Sequence, residues 1–189
     1  METPCTDMIC HPKPYSDVLF RTAWIYFIAS IYGLHKKKYD LAIYTGLVWL
    51  TSLNYWNNPT SRFNYYLDIT TVRSGILYHL IRALDSPNYM TFYSIFNTGL
   101  LCYIPSRYFY NKNNYILSTI SHAGLHLITG AGLIYLYSTK VKPLSTSYLL
   151  KYVKHIDLIT IPCIALLSTS SNSILSQLPY FEKKILVLS

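Results

Sequence analysis

Four polar side chains set among apolar neighbours hold the chemical potential of this sequence. His122 and His126 lie in Ser121-His122-Ala123-Gly124-Leu125-His126-Leu127-Ile128-Thr129-Gly130, inside the charge-free run 113–139. Residues four apart on a helix are neighbours on one face, so the two imidazoles suit one Zn²⁺ as a pair of ligands. They equally suit hydrogen bonds between helices. A catalytic zinc takes three protein ligands and keeps a fourth position for water. Asp68 is the carboxylate that can join the pair, as a ligand, as a base positioning water, or as a partner fixing a histidine tautomer. Its structural alternative is an ion pair with Arg62 or Arg73, because charges inside a membrane find each other. Ser52 can donate a hydrogen bond to a polarised carbonyl. Water attacking an amide or ester within a membrane is the reaction class that such a set implies.

The elements that must position these residues follow from charge spacing. Of the 189 residues 13% are charged, about half the share of an ordinary soluble domain at roughly 25%. Uncharged runs cover 41–61, 86–106, 113–139 and 158–181, and about 20 apolar residues suffice to cross a bilayer as a helix. The sequence is therefore expected to be all-α, a polytopic transmembrane helix bundle of five spans at 18–34, 41–56, 65–84, 89–104 and 115–137. A candidate sixth segment lies at 156–178. Residues 1–16 form a tail with no apolar period and 17–140 the five-helix domain. Residues 141–189 are a basic interfacial stretch leading into the sixth segment. The span 65–84, carrying Asp68, Arg73, His79 and Arg82, is too polar to face lipid all round and is expected at the centre of the bundle. The fourth span is expected to stop at Pro105.

The net charge of +8 does not point to nucleic acid, because the lysines sit between apolar runs and form neither a face nor a groove pattern. Lys36-Lys37-Lys38, Arg82, Lys140 and Lys142 fall on one side of a five-span topology. That bias places the N-terminus outside or in a lumen. Four scattered cysteines exclude a disulfide scaffold or a zinc knuckle. The 20 tyrosines suit interfacial belts and contacts between helices. The partners expected are the lipid bilayer and a lipid substrate, with oligomerisation open. Topology then groups the polar residues: Ser52 late in the second span, Asp68 early in the third, and His122 with His126 early in the fifth share one leaflet. His79, near the other end of its span, falls outside that group.

Ser in the second helix, Asp at the start of the third and His-x-x-x-His early in a late helix resemble the membrane hydrolases that include alkaline ceramidases and the progestin and adipoQ receptors. The decapeptide around His122 is similar to the final-helix signature of the ceramidases, and Thr51-Ser52-Leu53-Asn54-Tyr55-Trp56 to their second-helix pattern. The resemblance covers these patches and Asp68. It implies a zinc-dependent lipid amidase or related hydrolase, with His122 and His126 as metal ligands, Asp68 as ligand or base and Ser52 as helper. Where the family has a third zinc-binding histidine, four residues after the serine, this sequence has Trp56. Where it has seven spans, five are expected here. The second function class is a non-enzymatic assembly protein in which the same polar residues hold helices together.

Overall fold

A computed structural model describes residues 11–142; the expected sixth segment and most of the N-terminal tail lie outside the described residues. Those described fold into seven helices and no strand: α1 (Tyr15–Thr22), α2 (Trp24–His35), α3 (Tyr39–Asn57), α4 (Arg62–Ala83), α5 (Tyr89–Leu101), α6 (Tyr103–Asn111) and α7 (Tyr115–Ser138). The expected all-α class is what forms. Four expected span positions map onto α1 with α2, α3, α4 and α7, and the fourth onto α5 with α6. Among the described helices, α7 alone is both long and apolar enough to cross a membrane.

Two of the expected spans are interrupted for local reasons. Between α1 and α2 only Ala23 intervenes, in right-handed helical conformation. The hydroxyl of Thr22 donates to the Leu19 carbonyl at 3.1 Å, the same carbonyl that accepts from Ala23 N–H, and such side-chain competition loosens a helix ladder. Between α5 and α6 only Cys102 intervenes. Pro105 has no N–H for the carbonyl of Leu101, which breaks the ladder there. The helix nevertheless resumes instead of stopping at Pro105, because a proline in the first turn of α6 costs no bond that the turn would have made. Side-chain caps start two of the long helices: Ser61 Oγ accepts from Asn64 N–H for α4 and Asn114 Oδ1 from Leu117 N–H for α7.

The bundle is organised around α7, not around the helix carrying Asp68. α7 packs on α1, α2, α5 and α6, whereas α4 packs chiefly on α3 and leaves Phe63, Tyr66 and Leu67 exposed. Small residues explain the difference. A Cβ on Gly130 of α7 would sit 2.5 Å from Ile25 of α2, and one on Gly99 of α5 would sit 2.8 Å from the backbone nitrogen of Thr129 on α7. These positions let helix backbones approach as only glycine allows. The polar character of α4 is accommodated by a one-sided cavity face, which does not require a central location.

One end of the bundle is tied by charge. Arg82 Nε donates to Asp40 Oδ2 at 2.8 Å, Nη1 to Asp85, and Nη2 to the Lys142 carbonyl at 3.0 Å. Tyr78 adds a hydroxyl donor to Asp40 at 2.7 Å, and Lys38 Nζ reaches the Val141 carbonyl at 3.0 Å. At the other end aromatic rings from α3, α6 and α7 gather around His11.

Candidate functional site: a polar-ended cavity between the helices

A cavity of about 100 Å³ lies among α2, α3, α4, α5, α6 and α7. It is lined by all four residues singled out from the sequence, Ser52, Asp68, His122 and His126. They arrive from three helices, α3, α4 and α7. The side chains between them are mostly apolar, including Val48, Ile69, Val72, Ile76, Leu125 and Leu133. Such a volume exceeds what one water needs, roughly 10–15 Å³, and accommodates a small head group.

Asp68 is 9% exposed, and its Oδ1 accepts from Ser52 Oγ at 2.7 Å and Thr51 Oγ1 at 2.9 Å. Hydroxyl donors on the charged form are what a buried carboxylate needs in place of solvent. Among the described residues Asp68 forms no ion pair with Arg62 or Arg73, and its Oδ2 has no protein donor. The carboxylate is therefore presented to the cavity with one oxygen anchored and one unengaged. Ser52, whose proton goes to Asp68, is committed as an anchor for that carboxylate.

Each histidine is held from behind by a hydroxyl on another helix. His126 Nδ1 lies 3.0 Å from Thr22 Oγ1 on α1, and His122 Nδ1 lies 3.2 Å from Ser106 Oγ on α6. With the Thr22 proton on the Leu19 carbonyl, Thr22 accepts from His126 Nδ1–H, and Nε2 of His126 is left unprotonated for the cavity. Ser106 Oγ can donate or accept, so His122 can adopt the tautomer a ligand requires. The two rings meet edge to face at 5.0 Å between centroids.

Trp56 closes this end. Its ring lies 5.1 Å from that of His122 and 6.5 Å from that of His126, and it is 2% exposed. Among the described residues no group of three or more His, Cys, Asp or Glu is placed to hold one metal ion. Two imidazoles with an indole wedged against them are one ligand short of a catalytic zinc site. The described donor set does not fit that metal as it stands.

Two further residues belong to the neighbourhood and had no signal in the sequence. His11, expected in an irregular tail, is buried against Trp56, Tyr110 and Tyr115, with Nε2 3.4 Å from Ser118 Oγ. Burial pulls its imidazole down to about 4, so it is neutral at ordinary pH. His79, expected to stand apart by depth, lines the same cavity at its far end. It lies roughly three turns beyond Asp68 on α4, about 16 Å along the axis. There His79 Nδ1 meets the Gly75 carbonyl at 2.7 Å, and Nε2 meets Tyr137 OH at 2.8 Å, which in turn lies 2.5 Å from Thr45 Oγ1. The cavity thus runs between two polar ends.

A scan against protein-family models and searches of curated proteins and of solved structures find no match. The functional reading accordingly rests on the geometry and on the sequence patches.

Proposed function

We propose that this chain is a multi-pass membrane protein that holds one amphiphilic molecule in this cavity, and that it is a diverged form of the zinc-dependent lipid amidases its Ser, Asp and His-x-x-x-His patches resemble. The observation that carries this is the convergence of Ser52, Asp68, His122 and His126, polar residues from three helices, on one apolar-walled space. Pockets with apolar walls and a few convergent polar groups are what small-molecule sites look like. The membrane setting is supported by outward apolar residues along the helices, Ile43, Leu47 and Leu50 on α3 and Ile116, Ile120 and Leu127 on α7. It is supported too by the basic end at Lys36, Lys37, Lys38, Lys140 and Lys142, which suits a cytoplasmic face and an external N-terminus. With Trp56 where a third ligand would stand, the chain keeps recognition of the amphiphile and lacks a complete metal set for cleaving it.

An assembly role, in which the polar residues only join helices, draws support from the bonds Thr22–His126 and Ser106–His122. It leaves the cavity without an occupant. Native mass spectrometry from mild detergent separates the two. The wild-type chain is expected to retain one amphiphile per molecule, and Leu125→Trp, which fills the cavity from α7, is expected to lower occupancy about tenfold. A side chain that overfills a packed space costs about 1–3 kcal/mol, which the spare volume here reduces, so the variant is expected to fold. Equal occupancy in both proteins, or none in either, rejects the amphiphile site.

A further inference from the structure

The charge pattern of the cavity specifies the head group of its occupant, an inference that rests on the cavity being an amphiphile site. No lysine or arginine lines it, and the one charged lining residue is Asp68. Oδ1 of that carboxylate is taken by two hydroxyls, while Oδ2 has no donor among the described residues. His126 Nε2 adds a second acceptor, since Thr22 receives the proton of Nδ1. An amphiphile with a carboxylate or phosphate head would meet acceptors there and lose its hydration without compensation. A head that donates hydrogen bonds and carries positive charge would satisfy both.

Aromatic rings stand one turn from this carboxylate on both helices that flank it. Tyr55 and Trp56 are one turn beyond Ser52 on α3, and Tyr65 is one turn before Asp68 on α4. The ring centroids of Tyr55 lie 4.7 Å from Trp56 and 5.6 Å from Tyr65, and all three line the cavity with Tyr103. Aromatic faces beside a carboxylate are the recognition chemistry of ammonium groups. On the other side of Asp68, toward His79, the walls are Val48, Val72 and Ile76, which suit a hydrocarbon chain.

We propose that the cavity binds an amphiphile with a cationic ammonium head, seated between Asp68 Oδ2 and the Tyr55–Trp56–Tyr65 rings, its chain directed toward His79. The test compares dodecylamine, 1-dodecanol and dodecanoic acid, three probes with one chain, titrated calorimetrically into the full chain in zwitterionic nanodiscs against empty nanodiscs. Because a hydrogen bond to a charged group contributes about 1.5–3 kcal/mol, the amine is expected to bind at least about tenfold more tightly than the other two. Asp68→Asn, which keeps an oxygen for Ser52 and Thr51, is expected to bring amine and alcohol within about twofold of each other. Trp56→Leu, which leaves Asp68 in place, is expected to weaken the amine about threefold and to spare the alcohol. Alcohol or acid binding to the wild type as tightly as the amine overturns the ammonium assignment and leaves the amphiphile site standing. Amine preference that survives both substitutions overturns it as well. Failure of all three probes to bind overturns the amphiphile site itself.

Discussion

Trp56→His is expected to convert a chain that carries little zinc into one that binds about one zinc per molecule. The indole already occupies the space facing both imidazoles, 5.1 Å from His122 and 6.5 Å from His126 between ring centroids. An imidazole at that position supplies the third ligand that a zinc site with one open position requires. Thr22 and Ser106 already hold Nδ1 of the two native histidines, the arrangement of outer hydrogen bonds that orients metal-ligating imidazoles. The substitution removes a large buried ring, so without metal the variant is expected to lose about 3 kcal/mol of stability, by analogy with truncations of core aromatics. Zinc at about 100 times its dissociation constant returns about 2.7 kcal/mol. Elemental analysis together with thermal unfolding with and without zinc checks this. Trp56→Ala and the double variant Trp56→His, His126→Ala are expected to show neither bound metal nor zinc-dependent stabilisation. One zinc per molecule in the wild type contradicts the loss of the metal set.

Arg82→Ala is expected to be the most destabilising single truncation at the charged end. Arg82 is 2% exposed and joins α4 to Asp40 of α3, to Asp85, and to the Lys142 carbonyl beyond α7. Removing one member of a buried ion pair costs about 3–5 kcal/mol, because the partner's charge stays buried without its counter-ion. For a chain of this size that corresponds to a fall of roughly 10 °C in the unfolding temperature. Arg82→Lys keeps the charge but cannot fork to two carboxylates and a carbonyl at once, so it is expected to fall between wild type and Arg82→Ala. An unfolding temperature unchanged by Arg82→Ala would mean that the network is solvated and does not tie the helices.

Much of the site could be read from the sequence because the polar residues stand out against apolar runs. Ser52, Asp68, His122 and His126 were grouped by counting spans, and the helices carry all four to one cavity. What failed was the inference from polarity to centrality. α4 is polar because one face borders the cavity, while α7 is central because Gly130 and its approach to Ile25, with Gly99 facing Thr129, permit close contact on several sides. Polarity measures what a face touches, and residue size measures how near a neighbour can come.

His79 was set apart by depth, yet the cavity extends about 16 Å along α4 and reaches it. The ion pair expected for Asp68 is replaced by two serine and threonine hydroxyls, a choice that depends on which rotamers meet across α3 and α4. The partners of the histidines, Thr22 and Ser106, lie far off in the sequence and carry no local pattern; nothing short of the packing reveals them. Burial of His11 follows from rings contributed by α3, α6 and α7 and is equally invisible to composition. Pro105 marked a real discontinuity, but its position in a first turn let the helix restart.

Photo-crosslinking with a diazirine-bearing dodecylamine, followed by peptide mapping, tests most directly whether the cavity is where an amphiphile sits. Adducts are expected on inward residues of α4 and α7, such as Val72 and Leu125, and are expected to be competed by unlabelled dodecylamine. Adducts confined to outward residues such as Leu47, Ile116, Ile120 and Leu127, unaffected by competitor, would show that the chain meets amphiphiles only as surrounding lipid and would contradict a binding cavity.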